Sequence, residues 1–459
     1  MASQVWMPNC EMTTAAQTLA EFAAGLKFDS IPSAVIERAK DCVIDTVGAC
    51  IYGSTLAWSR IVIGYAERYG KGGRSAIIGT PLKVQAPHAA LANGALAHAF
   101  EMDSLVQPSV GVHPGASLTA PGLAVAQETG ASGKEFITAF VAAGEVMHRI
   151  GDASLHSSEK LGFHAPGLTG AFGGAVVAGR LLKLDTGQMT NALGIAGSLC
   201  AGLLEFSKSG GGMVKRLHLG RAAESGVLAA ALARDGFTGP HTVLEGRFGY
   251  LNVFCRDGDA KRFTAGLGEI WNILRITFKR YSCHITAHVP VTAVLELKTR
   301  YGISGDDVAS ITVAGSEKMV SHHDIPEPQD MTMAQYSTPF CVALAFYRDP
   351  RDPDVFSDAA VNDPAIRALC RKVKVELRQE THAENPLASR VTVRLKDGRE
   401  LVQDQQYFPG MSQQPLSRAQ LQEKFNTITA VLPAASRERI FAQLAALESA
   451  GDAGQLQFS

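Results

Sequence analysis

The chain has 459 residues, 46% of them hydrophobic and 19% charged. These proportions exclude a disordered polypeptide and leave enough chain for a large core spread over roughly two to three domains. With 43 basic against 44 acidic side chains and a formal net charge of −1, no global field recruits nucleic acid or anionic lipid, so an anionic ligand has to be held by local cations.

Met1 to Thr14 lacks the basic region and apolar core of a secretion signal, and no apolar run approaches the roughly 18 residues of a membrane helix. A cytoplasmic protein without membrane association is expected. Residues 13 to about 270 carry helical periodicity almost throughout. Thr13 or Thr14 caps a first helix through Leu26, Pro32 opens a second that ends at Gly53, and further helices are predicted near 56–69, 85–98 and 114–129. Small residues four apart, at Gly167, Ala171, Ala175 and Gly179 and again at Gly170, Gly174 and Ala178, allow close helix packing.

From about residue 273 the texture changes. Val308 to Ala314 reads as a strand, and Arg390 to Leu395 with Glu400 to Gln403 form an alternating pair around Lys396-Asp397-Gly398, a hairpin signal. After Tyr407-Phe408-Pro409-Gly410 the pattern returns to helix, with Ser417 as cap, a final helix near 434–449, and a frayed end from Gly451. The fold expected is mainly α with an α+β part: helical over 1–272, α+β over 273–407 and helical again over 408–459, the last segment rejoining the first.

The densest chemistry lies at Ser209-Gly210-Gly211-Gly212-Met213-Val214-Lys215-Arg216-Leu217-His218. Four small residues leave backbone N–H groups free at the start of a helix, where a carboxylate or phosphate is attracted. Nucleotide motifs are missing: Gly64 to Gly70-Lys71-Gly72 has the wrong spacing for a phosphate-binding loop, and no Gly-x-Gly-x-x-Gly follows a strand. Histidines recur ahead of helix starts: His113 before Pro114, His164 before Ala165-Pro166, and His284 shortly before Pro290. An imidazole at a helix N-terminus is disfavoured as a cation, so it stays neutral and able to accept a proton. One such histidine serves equally as a cap or core group; several converging with Lys215 on one cavity would suit proton removal beside a carboxylate.

Glu101-Met102-Asp103 supplies carboxylates that could orient a histidine or act as acid. No metal is expected, because His284 and His288 lack an HExxH pattern and Asp103-Ser104 does not resemble a cation loop. His322-His323-Asp324 reads as a surface loop, and no Gly-x-Ser-x-Gly elbow is present. The eight cysteines (Cys10, Cys42, Cys50, Cys200, Cys255, Cys283, Cys341 and Cys370) have no CxxC spacing and read as small buried residues, except Cys283, which lies among basic residues that could lower its pKa.

At these residues the sequence resembles the MmgE/PrpD family. The resemblance is carried by Asn93-Gly94-Ala95-Leu96-Ala97-His98, His113-Pro114-Gly115-Ala116, Gly162-Phe163-His164 through Gly173, Lys215-Arg216-Leu217-His218 with Gly236-Phe237-Thr238-Gly239-Pro240, and Lys279-Arg280-Tyr281-Ser282-Cys283-His284. It implies a helical domain built from both chain ends, an inserted α+β lid, a homodimer, and cofactor-free lyase or isomerase chemistry on small polycarboxylates. It also implies active-site roles for His113, His164, Lys215 and His284, with Glu101 and Asp103 beside them and Arg216, Lys279 and Arg280 as substrate-binding cations. Three residues depart from the decarboxylase-like pattern: Glu101 and Leu105 stand where it has an aspartate and a threonine, and Phe340 where it has a tyrosine. Leu105 and Phe340 are therefore expected to line an apolar side of the pocket. On that ground a dehydratase of the 2-methylcitrate type is preferred, with a cis-aconitate-type decarboxylase or an iminodisuccinate-type epimerase as alternatives and a non-enzymatic scaffold last.

Overall fold

The first helix, Ala15–Gly25, shows how local sequence sets the elements: Thr14 Oγ1 accepts from Gln17 N (3.2 Å) and Gln17 Oε1 accepts from Thr14 N (2.7 Å), a reciprocal cap. This is a computed structural model describing residues 13–209, 211–379 and 385–459, so Met1 to Met12, including Cys10, and Gly210 of the glycine run lie outside the described residues. Helices Ser33–Ser54, Ala57–Tyr69 and Ala86–Ala97 follow the predicted order. A π turn, Gly115–Thr119, leads into Ala120–Thr129.

Helices Gly133–Ser154, Ala165–Leu181, Thr186–Leu199 and Met213–Arg234 complete the helical layer. The small-residue stripe has a clear use. A Cβ on Gly226 would lie 2.3 Å from the carbonyl carbon of Gly174, and one on Gly170 would lie 3.0 Å from Ala222 Cβ, so Ala165–Leu181 and Met213–Arg234 meet backbone to backbone. The expected helicity does not continue to 270. After Arg234 the chain runs mostly in turns, with only Tyr250–Phe254, Ala260–Phe263 and Asn272–Arg275 as short helical pieces. Gly236, Gly239, Pro240, Gly246, Gly249, Gly258, Gly266 and Gly268 interrupt any longer run.

The α+β part carries a four-stranded sheet in the order Val373–Leu377, Val308–Gly315, Ser389–Leu395, Glu400–Gln405; the first pair is parallel and the others antiparallel. Gly398 turns the hairpin at φ +92°, a left-handed conformation that suits glycine. Val391, Val393 and Leu395 face a core shared with Val291, Val294, Leu297 and Leu344 of helices His288–Tyr301 and Thr338–Tyr347. Strand Val373–Leu377 is not anticipated by the sequence pattern: it is a short edge whose parallel partner lies far away in the chain.

Among the described residues two large apolar cores result, with a small third one of Leu105, Ile285, Val289, Leu387, Phe408 and Met411. One gathers residues between Ala16 and Phe278 with Leu416, Phe425, Phe441 and Leu444 from the end of the chain. The other gathers residues between Tyr281 and Leu401 with Phe100, Met102 and Ile428. The segment around Phe100 and Met102 thus sits at the seam, where Leu105–Val106 pairs antiparallel with Ile276–Thr277. Arg418–Ile428 starts at the Ser417 cap, and Ala434–Ala445 follows. The end is not frayed: Ala453 N donates to Ala131 O (2.8 Å), Gly79 N donates to Phe458 O (3.2 Å), and both Ala453 and Phe458 are buried. Among the described residues no single helix is long and apolar enough to cross a membrane; Ser33–Ser54 and Ala57–Tyr69 pass such a test only as a pair bent by 98°.

Candidate active site

A cavity of about 1020 Å³ opens along the seam between the two cores, lined by His98, Glu101, Leu105, His113, His164, Lys215, Arg216, Lys279, His284, His323 and Tyr336 among others. Its centre is Glu101, a non-glycine residue held at φ +56°, a conformation that costs on the order of 1–2 kcal/mol and persists only when its surroundings enforce it. Those surroundings are two ammonium groups. Lys215 Nζ, projecting from the start of helix Met213–Arg234, donates to Glu101 Oε1, Lys279 Nζ donates to Oε2 at 2.8 Å, and Tyr336 OH donates to Oε1 at 3.2 Å. Burial alone would raise the Glu101 carboxyl, but Lys215 and Lys279 outweigh it and hold it well below the usual carboxylate range. Burial likewise works against the Lys279 ammonium, and Glu101 and Asp103 more than offset it, so its pKa is raised.

Behind the cavity wall Asp103 is fully buried, and its Oδ2 accepts from His113 Nδ1 at 2.6 Å and from His98 Nδ1 at 2.8 Å. Both imidazoles therefore carry their proton on Nδ1 and leave Nε2 as an acceptor. Burial pushes His98 down to about 4, despite Asp103 beside it. Burial would raise the Asp103 carboxyl, but His98 and His113, each hydrogen-bonded to it, outweigh that and hold it well below the usual carboxylate range.

His284 has the opposite tautomer. Its Nδ1 accepts from Thr286 N (3.4 Å) at the start of a short 3-10 turn, which places its proton on Nε2. Its ring stacks on His323 with centroids 3.9 Å apart. Burial first, then His323 and Lys318, lowers the His284 pKa well below 6.5. His323 donates through Nδ1 to Tyr336 O (2.9 Å) and is pushed down to about 4 by burial. His164 stands at the N-cap position of helix Ala165–Leu181 without a side-chain capping bond, and burial lowers its pKa well below the ordinary value.

The structure thus gathers His113, His164, Lys215, His284, Glu101, Arg216, Lys279 and Leu105 at one cavity and sets Asp103 directly behind His113. Two expected residues lie elsewhere. Arg280 points away from its neighbour Lys279 and pairs through Nη2 with Glu423 (3.1 Å) on helix Arg418–Ile428. Phe340 is 1% exposed inside helix Thr338–Tyr347 and packs in the second core, not against the cavity. In this structure the carboxylate that Lys215 holds is that of Glu101.

His98, Tyr336 and His323 were not read as site residues. His98 belongs to a motif already singled out; Tyr336 had no local signal, because its place depends on the Asp330-capped turn Met331–Tyr336. His323 is no surface loop: it ends helix Glu317–His322 and is buried, while His322 beside it is exposed. Cys283 is buried, with Sγ 3.7 Å from His288 Nδ1, and lies outside the cavity lining. Burial raises its thiol, but Cys341 and His288 outweigh that and bring it down to about 6.

The coordinating atoms of His98, Asp103 and His113 lie within 4.8 Å of one another, the only such group among the described residues. Their N–O separations of 2.6 and 2.8 Å are hydrogen-bond lengths, shorter than the spacing of two ligand atoms each about 2.0–2.2 Å from a shared ion in tetrahedral geometry.

Comparison with known proteins gives one consistent answer. The profile of the MmgE/PrpD N-terminal domain matches residues 17–262 and that of the MmgE/PrpD C-terminal domain matches residues 281–448. A cis-aconitate decarboxylase from Aspergillus terreus is 29% identical over 446 residues, covering 91% of this chain and 90% of the relative. The cis-aconitate decarboxylase of Homo sapiens is 27% identical over 419 residues, covering 87% and 85%. A cis-aconitate decarboxylase-like protein from Aspergillus oryzae is 27% identical, covering 95% of both chains.

Proposed function

The chain belongs to the MmgE/PrpD family, and from that premise we propose that it is a lyase that removes CO2 from a small unsaturated tricarboxylate of the cis-aconitate type. The relatives favour this over the 2-methylcitrate-dehydratase reading preferred from sequence. In such a substrate the departing carboxylate sits on the carbon next to a carbon–carbon double bond. As CO2 leaves, its electron pair shifts through that double bond to the carbon beside a second carboxylate, which carries the charge as an enediolate until that carbon takes up a proton.

Three things are needed: a desolvated leaving carboxylate, fixed positive charge beside the second one, and a proton donor at carbon. Leu105 offers an apolar wall, Lys215, Lys279 and Arg216 offer the charge, and His113, its Nδ1–H fixed on Asp103, can take a proton at Nε2 and pass it on to carbon. The observation that carries the reading is the Asp103–His113 pair opening on the same cavity as the two lysines.

The test is to incubate purified protein in D₂O with cis-aconitate and, separately, with 2-methylcitrate, following CO2 and the proton spectrum of the products. CO2 release from cis-aconitate with one deuteron delivered to carbon is expected. Alkene formation from the hydroxy acid without CO2 would instead restore the dehydratase reading, and no reaction with either would remove both.

A further inference from the structure

His218 is outside the cavity lining, half-buried, and absorbed by none of the chemistry above. It is hydrogen-bonded, Nδ1 to Nδ1 at 3.1 Å, to His164, which does line the cavity. Between two imidazole nitrogens there is room for one proton, so the pair has two arrangements. When His218 Nδ1 holds the proton, His164 accepts it at Nδ1 and shows N–H at Nε2. When His164 Nδ1 holds it, its Nε2 is a bare acceptor. The rings are held for this contact: Phe206 lies edge-on to both, with centroids 5.5 and 5.8 Å away, His164 N donates to Gly202 O (3.0 Å), and a Cβ on Gly202 would lie 3.2 Å from His218 Nδ1.

Resting on the decarboxylase reading, we propose that His218 is a proton-relay residue that hands a solvent proton to His164 for delivery inside the cavity. Replacing a carboxylate by hydrogen consumes one proton per turnover: R–CO2⁻ plus H⁺ gives R–H plus CO2. His164 Nε2 releases its proton inward, the shared proton moves from His218 Nδ1 to His164 Nδ1, and His218 Nε2 takes one from solvent. After product leaves, His164 Nε2 takes a proton from water in the open cavity, the shared proton hops back to His218 Nδ1 and His218 Nε2 returns its proton to solvent, which restores the starting tautomers. No net charge is carried on either ring at rest. This suits the surroundings, since Lys215, one turn before His218 on the same helix, and His98 and His113 across the cavity all disfavour a cation on His164; Glu205 lines the cavity beside Phe206.

The test compares His218→Ala and His218→Asn with the parent protein on cis-aconitate. Asn keeps a hydrogen-bonding group near the Nδ1 position but cannot pass a proton. Both variants should lose about 10²-fold in kcat with little change in KM, become dependent on buffer concentration, and His218→Ala should be partly rescued by added imidazole. Full activity in His218→Asn, or unchanged kinetics in both, overturns the relay and leaves the decarboxylase reading intact. Absence of CO2 from the parent protein overturns that reading instead. Nitrogen-15 spectra of the histidines then decide the pair without any substrate: a shared-proton signal linking His164 and His218 Nδ1, lost in His218→Ala, upholds it, and two independent imidazoles overturn it.

Discussion

Asp103 and His113 are joined at 2.6 Å, Oδ2 to Nδ1, with the carboxylate fully buried and the imidazole facing the cavity. The carboxylate fixes which nitrogen of His113 carries the proton and how the ring is turned. Asp103→Asn keeps the shape but can present an N–H to Nδ1, favouring the wrong tautomer. A fall in kcat on the order of 10³-fold or more is expected, with a smaller effect on KM, from steady-state kinetics of a variant whose thermal melt shows it folded. Near-parent kcat would show that Asp103 does not orient His113 for proton transfer.

Stability should fall on mild acidification. Burial holds His98 and His323 at about 4, against 6.5 for the free side chain. Below about pH 6.5 the unfolded chain binds protons at these sites that the folded chain refuses until about pH 4, so stability declines as pH falls through that window. Urea midpoints at pH 7.5, 6 and 5 should decrease in that order, and His323→Asn, which keeps a donor for Tyr336 O but does not titrate, should show a shallower decline. A midpoint independent of pH across this range would contradict the burial-driven shifts.

The helical order, the hairpin and the cap at Thr14 were legible because each depends on contacts within a few residues. So were His113, His164, Lys215 and His284, each at or beside the start of a helical turn. What escaped depended on distant chain. Glu101 reads as one of two carboxylates until Lys279, 178 residues later, takes one of its oxygens. Arg280 and Lys279 look alike in sequence, and only the helix Arg418–Ile428 decides which way the first one faces.

Glu101 already occupies the lysine pair that a substrate carboxylate would be expected to seek. Glu101→Gln should leave two buried ammonium groups short of a partner, at a cost of about 3–5 kcal/mol for breaking a buried pair. A small tricarboxylate such as tricarballylate should then raise the melting temperature of the variant more than that of the parent, by filling the vacated place. Equal shifts in the two proteins would mean that ligand and Glu101 do not share the lysines.

The last prediction separates two aromatic residues four positions apart, on the two helices that meet at Ser337. Phe340 was expected at the cavity wall, where a hydroxyl in its place would disfavour the substrate. Instead it packs in the second core, and its backbone N donates to Ser337 Oγ at 3.0 Å. Phe340→Tyr should therefore bury a hydroxyl and cost about 1–3 kcal/mol of stability, leaving relative activity toward different polycarboxylates unchanged. The hydroxyl that reaches the cavity is that of Tyr336, 3.2 Å from Glu101 Oε1 and with Lys215 Nζ 5.0 Å from its ring centroid. Tyr336→Phe removes one donor to a charged group and should lower kcat/KM by about 10-fold or more, from the roughly 1.5–3 kcal/mol such a bond contributes, with little loss of stability. Melting curves and competition between two polycarboxylates, run on both variants, distinguish the cases. A changed substrate preference in Phe340→Tyr, or parent-like kinetics in Tyr336→Phe, would reverse the assignment of which ring faces the substrate.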